Sequence, residues 1–99
     1  MSVRIIAIKR LKEFWEKHPD SEQPLRALYS EAINADWKKP NDITKYYRTA
    51  SILSSNRVVF NIKGNDYRLI TTINYDYKVV YIRFIGTHKE YDRINAEDI

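Results

Sequence analysis

Apolar positions change their spacing along this chain near Ser51–Asn56. Before that point they recur every three or four residues, as on one face of a helix; after it they alternate, as on a strand. Val3–Ile6 is a short β-branched run and predicts a first strand. Ile8, Leu11, Phe14 and Trp15 form the stripe of an amphipathic helix ending near His18-Pro19, because a residue before proline disfavours helical geometry. Ser21 is a candidate N-cap for a second helix, with Pro24 tolerated in the first turn. The stripe of that helix is Leu25, Leu28, Tyr29, Ala32 and Ile33, and Trp37 and Pro40 mark its exit. Asn41 can cap a short third segment carrying Ile43, Tyr46 and Tyr47.

The second half reads as strands. Arg57–Lys63 alternates, Gly64-Asn65 is a two-residue hairpin signal, and Asp66–Asn74 alternates again. A turn at Asp76-Tyr77 leads into Lys78–Ile85, rich in β-branched and aromatic residues. Helices followed by a meander predict an α+β fold, with the N-terminal strand and helices packed on one face of an antiparallel sheet.

Strand parity then sorts the side chains. A two-residue loop at Gly64-Asn65 sets Ile62 opposite Tyr67, Asn61 opposite Arg68 and Phe60 opposite Leu69. A two-residue loop at Asp76-Tyr77 sets Thr72 opposite Tyr81 and Ile70 opposite Arg83. One face then carries Val58, Phe60, Ile62, Tyr67, Leu69, Ile73, Val80, Ile82 and Phe84, and is expected to bury against the helices. The other carries Asn61, Lys63, Arg68, Thr72, Tyr81 and Arg83 among Val59, Ile70, Val79 and Ile85. A solvated sheet face is the plain reading of that side. Its centre lacks an acid, however, and unneutralised arginines among apolar residues suit an anion. On this register Arg68 and Arg83 are expected close enough to share one phosphate.

Composition narrows the chemistry. The 99 residues predict a single domain, residues 1–99. The net charge of +4 is compatible with a polyanionic partner. With no cysteine, disulfides and zinc–thiolate sites are excluded, and His18 and His88 stand far apart with no acidic cluster, so neither a metal nor a cofactor is expected. Met1–Ala7 is too short an apolar run for a signal peptide or a membrane span, which predicts a cytoplasmic protein without membrane contact.

Gly86-Thr87-His88-Lys89-Glu90-Tyr91-Asp92 supports two readings. Thr87 and Glu90 have capping-box spacing, so His88 and Lys89 can be ordinary first-turn residues. The same turn can offer free N–H groups to a phosphate, with His88, Lys89 and Tyr91 at the sheet's edge. Histidine and tyrosine can move protons, and arginine and lysine can stabilise a pentavalent phosphorane.

These residues also carry a resemblance. Asn61-Ile62-Lys63-Gly64-Asn65-Asp66-Tyr67-Arg68-Leu69-Ile70, followed by Tyr81-Ile82-Arg83-Phe84-Ile85-Gly86-Thr87-His88-Lys89-Glu90-Tyr91-Asp92, resembles the HigB branch of the RelE toxin family. The resemblance is sharpest over residues 57–92. It implies a RelE-like fold and ribosome-dependent cleavage of mRNA. It also implies neutralisation by a HigA-type helix-turn-helix antitoxin, through which alone the toxin would meet DNA. Carried over by position, the catalytic residues would be Arg68, Arg83, His88 and Tyr91. Asn61, Lys63, Tyr81 and Lys89 would contact RNA. Such a set fits cleavage without metal, in which the RNA's own 2′-hydroxyl attacks the adjacent phosphate. Two other readings stand beside it: a non-enzymatic RNA-binding module that keeps the basic face without depending on His88, and a toxin of the same fold that inhibits a protein such as gyrase. A DNA-binding repressor is disfavoured, as no helix-turn-helix with a basic recognition helix appears.

Overall fold

In the computed structural model, which describes residues 3–99, the first three helices lie on one side of a single mixed sheet. Strand β1 (Arg4–Ile6) leads directly into α1 (Ile8–Lys17). A 3₁₀ turn at Pro19–Ser21 joins α1 to α2 (Glu22–Asn34), and a short α3 (Pro40–Thr44) follows. Then come β2 (Ser51–Ile52), β3 (Arg57–Ile62), β4 (Tyr67–Asn74), β5 (Val79–Thr87) and α4 (His88–Asp92). The sheet order is β1-β5-β4-β3-β2. All neighbours are antiparallel except β1, which joins the edge of β5 in parallel over Arg4–Ile6 and Val79–Tyr81.

The helices pack as their stripes require. Leu11 and Phe14 of α1, Leu25, Leu28 and Ala32 of α2, and Ile43 of α3 meet Val58, Phe60, Ile62, Tyr67, Leu69, Ile73, Val80 and Ile82 in one core. At roughly 1.5–3 kcal/mol per fully buried large apolar side chain, this contact dominates the stability of the fold. Trp37 seals one end, stacking near Phe60 and meeting Tyr47 edge-on.

Two expected caps differ. Ser21 stands at the N-cap position of α2, but its hydroxyl donates backwards to the His18 carbonyl at 2.7 Å, so it closes the 3₁₀ turn and does not cap the helix. Lys39, not Asn41, precedes α3, because Pro40 takes the first helical position, where a missing N–H costs nothing. The β3–β4 register is as expected. Its turn places Lys63 and Gly64 in the left-handed region, at φ 51° and 64°, instead of Gly64 and Asn65.

The larger correction is a β-bulge. From the Asp76-Tyr77 loop the β4–β5 register runs as expected to Thr72 opposite Tyr81 and Thr71 opposite Ile82, then steps to Ile70 opposite Phe84. Arg83 is the extra residue, and Ile70 does not face it. Parity reverses beyond this point. Ile85 packs against the core, and Phe84, expected there, moves to the outer face.

The outer face is not open either. Val59 and Ile70 lie on it outside the main core, yet are only 2% and 0% exposed. The segment after α4 leaves the sheet end beside Arg68 and reaches the start of β3, so its path runs along this face. There the Arg57 guanidinium donates to the Ile99 carbonyl at 2.6 and 3.1 Å, and the Ser54 hydroxyl donates to Glu97.

Candidate functional site

The strap formed by α4 and residues 93–99 divides the outer face into two stations. The first lies where β4 begins and β5 ends. Arg68 stands opposite Gly86, donates to the Asn65 carbonyl at 3.0 Å, and holds its guanidinium carbon 5.6 Å from the centre of the Tyr91 ring. The turn that presents Tyr91 is well determined. The Thr87 hydroxyl accepts from the Glu90 N–H, and the Glu90 carboxylate accepts from the Thr87 N–H. These bonds to Thr87 hold the Glu90 carboxyl below its ordinary range. The His88 N–H donates to the Asp66 carbonyl at 3.1 Å, tying α4 to the β3–β4 turn. The His88 side chain is 51% exposed, with its Nε2 3.6 Å from Asp92 Oδ1, and Lys89 is exposed beside it. The cap uses backbone, Thr87 and Glu90, and does not engage the imidazole.

The second station surrounds the bulge. Arg83 Nε donates to Thr72 Oγ1 at 3.0 Å, and its guanidinium carbon lies 5.7 Å from the Tyr81 ring centre. Tyr81 is 36% exposed. Thr72, Tyr81 and Arg83 line one wall of an open concavity of about 470 Å³, within the range of small-ligand pockets.

Arg68 and Arg83 thus share a face but not a phosphate. Arg83 reaches toward Thr72, four positions along β4 from Arg68, roughly 13 Å at about 3.3 Å per residue. Lys63 and Asn61 leave the group for a different reason. Lys63 Nζ is 2.7 Å from Asp20 and 3.5 Å from Asp66. Asp20 also accepts the Tyr67 hydroxyl at 2.5 Å. The bond to Lys63, then that to Tyr67, holds the Asp20 carboxyl below its usual value, and Asp20 in turn raises Lys63 and Tyr67. Lys63 is therefore not an unneutralised cation. Asn61 donates to the Thr49 carbonyl and so anchors the segment before β2.

Reasoning from sequence missed Arg10. It projects from α1 and its guanidinium donates to the Arg83 carbonyl at 2.8 Å. On the sequence it is one of several charges on the polar face of an amphipathic helix, and nothing local marks it. Among the described residues no cluster of histidine, cysteine and acidic side chains could hold a metal, and no helix is long and apolar enough to cross a membrane.

What these features define is a small α+β domain with a basic, aromatic outer face divided by its own C-terminal strap. Residues 21–94 match the HigB_toxin family, described as the RelE-like toxic component of a toxin–antitoxin system, and the chain belongs to that family. It is 30% identical to the mRNA interferase toxin HigB of Escherichia coli strain K12, over 95% of this chain and 92% of the relative. It is equally similar to the mRNA interferase HigB of Shigella flexneri, and 27% identical to that of Escherichia coli O6:H1 over 93% of this chain and 91% of the relative.

Proposed function

We propose that this chain is an endoribonuclease toxin that cuts mRNA on the ribosome and is silenced by a HigA-type helix-turn-helix antitoxin. The observation that carries the reading is the first station. Arg68 of β4 lies against the Tyr91 ring, and His88 stands on the same turn as Tyr91, fixed independently by its capping box. The relatives named mRNA interferase support the substrate class. The antitoxin supplies any contact with DNA, and the toxin acts in the cytoplasm.

The chemistry requires no metal or cofactor. The ribose 2′-oxygen attacks the adjacent phosphorus, the bond to the 5′-oxygen breaks, and a 2′,3′-cyclic phosphate remains. A base takes the 2′-proton and an acid returns a proton to the leaving 5′-oxygen. His88, exposed on the first turn of α4, fills one of these roles. Arg68 neutralises charge on the phosphate, and Tyr91 stacks on a base or shares the proton transfer. Lys89 adds charge on the approach, while Tyr81 and Arg83 hold the neighbouring nucleotide at the second station.

The test is single-turnover cleavage of a labelled message on programmed ribosomes, with cuts mapped by primer extension. The parent is expected to cut, Arg68→Ala to stall, and a 2′-deoxy substitution at the cut position to abolish cleavage. Uptake by ribosomes with no cut in any message would leave an RNA-binding module in place of a nuclease.

A further inference from the structure

The bulge in β5 raises an accounting question that Arg10 answers. Arg83 is the residue without a partner on β4, so its peptide group is outside the β4 ladder. On the other side β1 ends at Ile6, opposite Tyr81, and offers no strand at the level of Arg83. A carbonyl in that position needs a donor from elsewhere. The donor is Arg10, 73 residues away in sequence, whose own N–H is fixed to the Ala7 carbonyl in the first turn of α1.

We infer that Arg10 is a positioning residue for Arg83: it latches the bulge that aims the Arg83 side chain at Thr72 and the outer face. The inference rests on the assignment of Arg83 to the RNA site made above. The Arg83–Phe84 peptide is where parity reverses, and its carbonyl orientation determines which way the following side chains emerge. Held by Arg10, that carbonyl faces α1, Arg83 bonds to Thr72, and Phe84 and Ile85 go to opposite faces. An arginine suits this task because its planar guanidinium presents several donors in fixed directions; a lysine ammonium can replace one bond without the same geometry. Arg10 is exposed, so its replacement leaves the core intact.

The experiment is a double-mutant cycle on single-turnover cleavage with programmed ribosomes. It uses Arg10→Met, Arg10→Lys, Arg83→Ala and the Arg10→Met/Arg83→Ala pair. Misplacing a substrate-contacting group by about an ångström costs up to roughly a hundredfold. Arg10→Met is therefore expected to lower the ratio of saturating rate to half-saturating concentration by roughly ten- to a hundredfold, with partial recovery in Arg10→Lys. In the Arg83→Ala background it is expected to add nothing. A multiplicative loss in the pair overturns the inference by making Arg10 an RNA contact in its own right. If Arg83→Ala is slow and Arg10→Met is not, the latch alone fails. If Arg83→Ala cuts like the parent, the assignment of Arg83 fails and the latch falls with it.

Discussion

Replacing Gly86 by alanine tests the packing under α4 with a single carbon atom. The backbone itself accepts the change, since Gly86 is not among the residues at positive φ. The space does not. A Cβ at Gly86 would lie 2.6 Å from Phe84 Cζ, 3.0 Å from Phe84 Cε2 and 3.1 Å from Glu90 Oε1. The phenyl ring must therefore swing away, and the carboxylate that accepts from the Thr87 N–H must shift with it. Overpacking of this kind costs about 1–3 kcal/mol, and loss of a cap about 0.5–2 kcal/mol. Phe84 is only half-buried and can yield toward solvent, so we expect about 2–3 kcal/mol in all. Urea unfolding should show a lower midpoint at an unchanged slope, with Tm down by roughly 4–8 °C for each kcal/mol. If the ring is the obstacle, Phe84→Ala must remove most of the penalty. A Gly86→Ala protein within about 0.5 kcal/mol of its parent, or a penalty indifferent to Phe84→Ala, would refute this account of the packing.

Leu69 is 1% exposed at the centre of the core, and Leu69→Ala is expected to cost about 2–5 kcal/mol in equilibrium unfolding. Asp20 has a folded pKa below its unfolded value of about 3.9. Its stabilising effect is thus complete above the unfolded value and lost as pH falls through the lowered folded one. Asp20→Asn should accordingly flatten the acid limb of a stability–pH curve; an unchanged limb would show that the Lys63 and Tyr67 bonds contribute nothing in solution. His88→Gln keeps bulk and hydrogen bonding but cannot titrate near neutrality, so cleavage should slow by about 10²–10⁴-fold at equal stability and ribosome occupancy. A rate within a few-fold of the parent would return His88 to a first-turn residue.

The parts of the molecule legible in its sequence are those specified by near neighbours. The capping box needs only Thr87 and Glu90, three residues apart. The β3–β4 register follows from its turn and from alternation on either side. The bulge was not legible, because Val79–Thr87 contains no residue type that marks one at Arg83, and its latch comes from α1. Lys63 looked like a free cation because Asp20 lies 43 residues away in a different kind of element. The strap lacks any apolar period and is held by Ser54 and Arg57, so the outer face looked open when it is partly covered. Family resemblance identified the chain despite this, since its signature lies in the locally determined segment from β3 to α4.

The parallel pairing of β1 with β5 bears on how the chain is made. The first strand synthesised finds its neighbour only when Val79–Tyr81 exist, and Arg83, His88 and Tyr91 come later still. Until then α1 and α2 have apolar stripes and no sheet to cover. A nascent chain is therefore a handle for chaperones and proteases until β5 is complete.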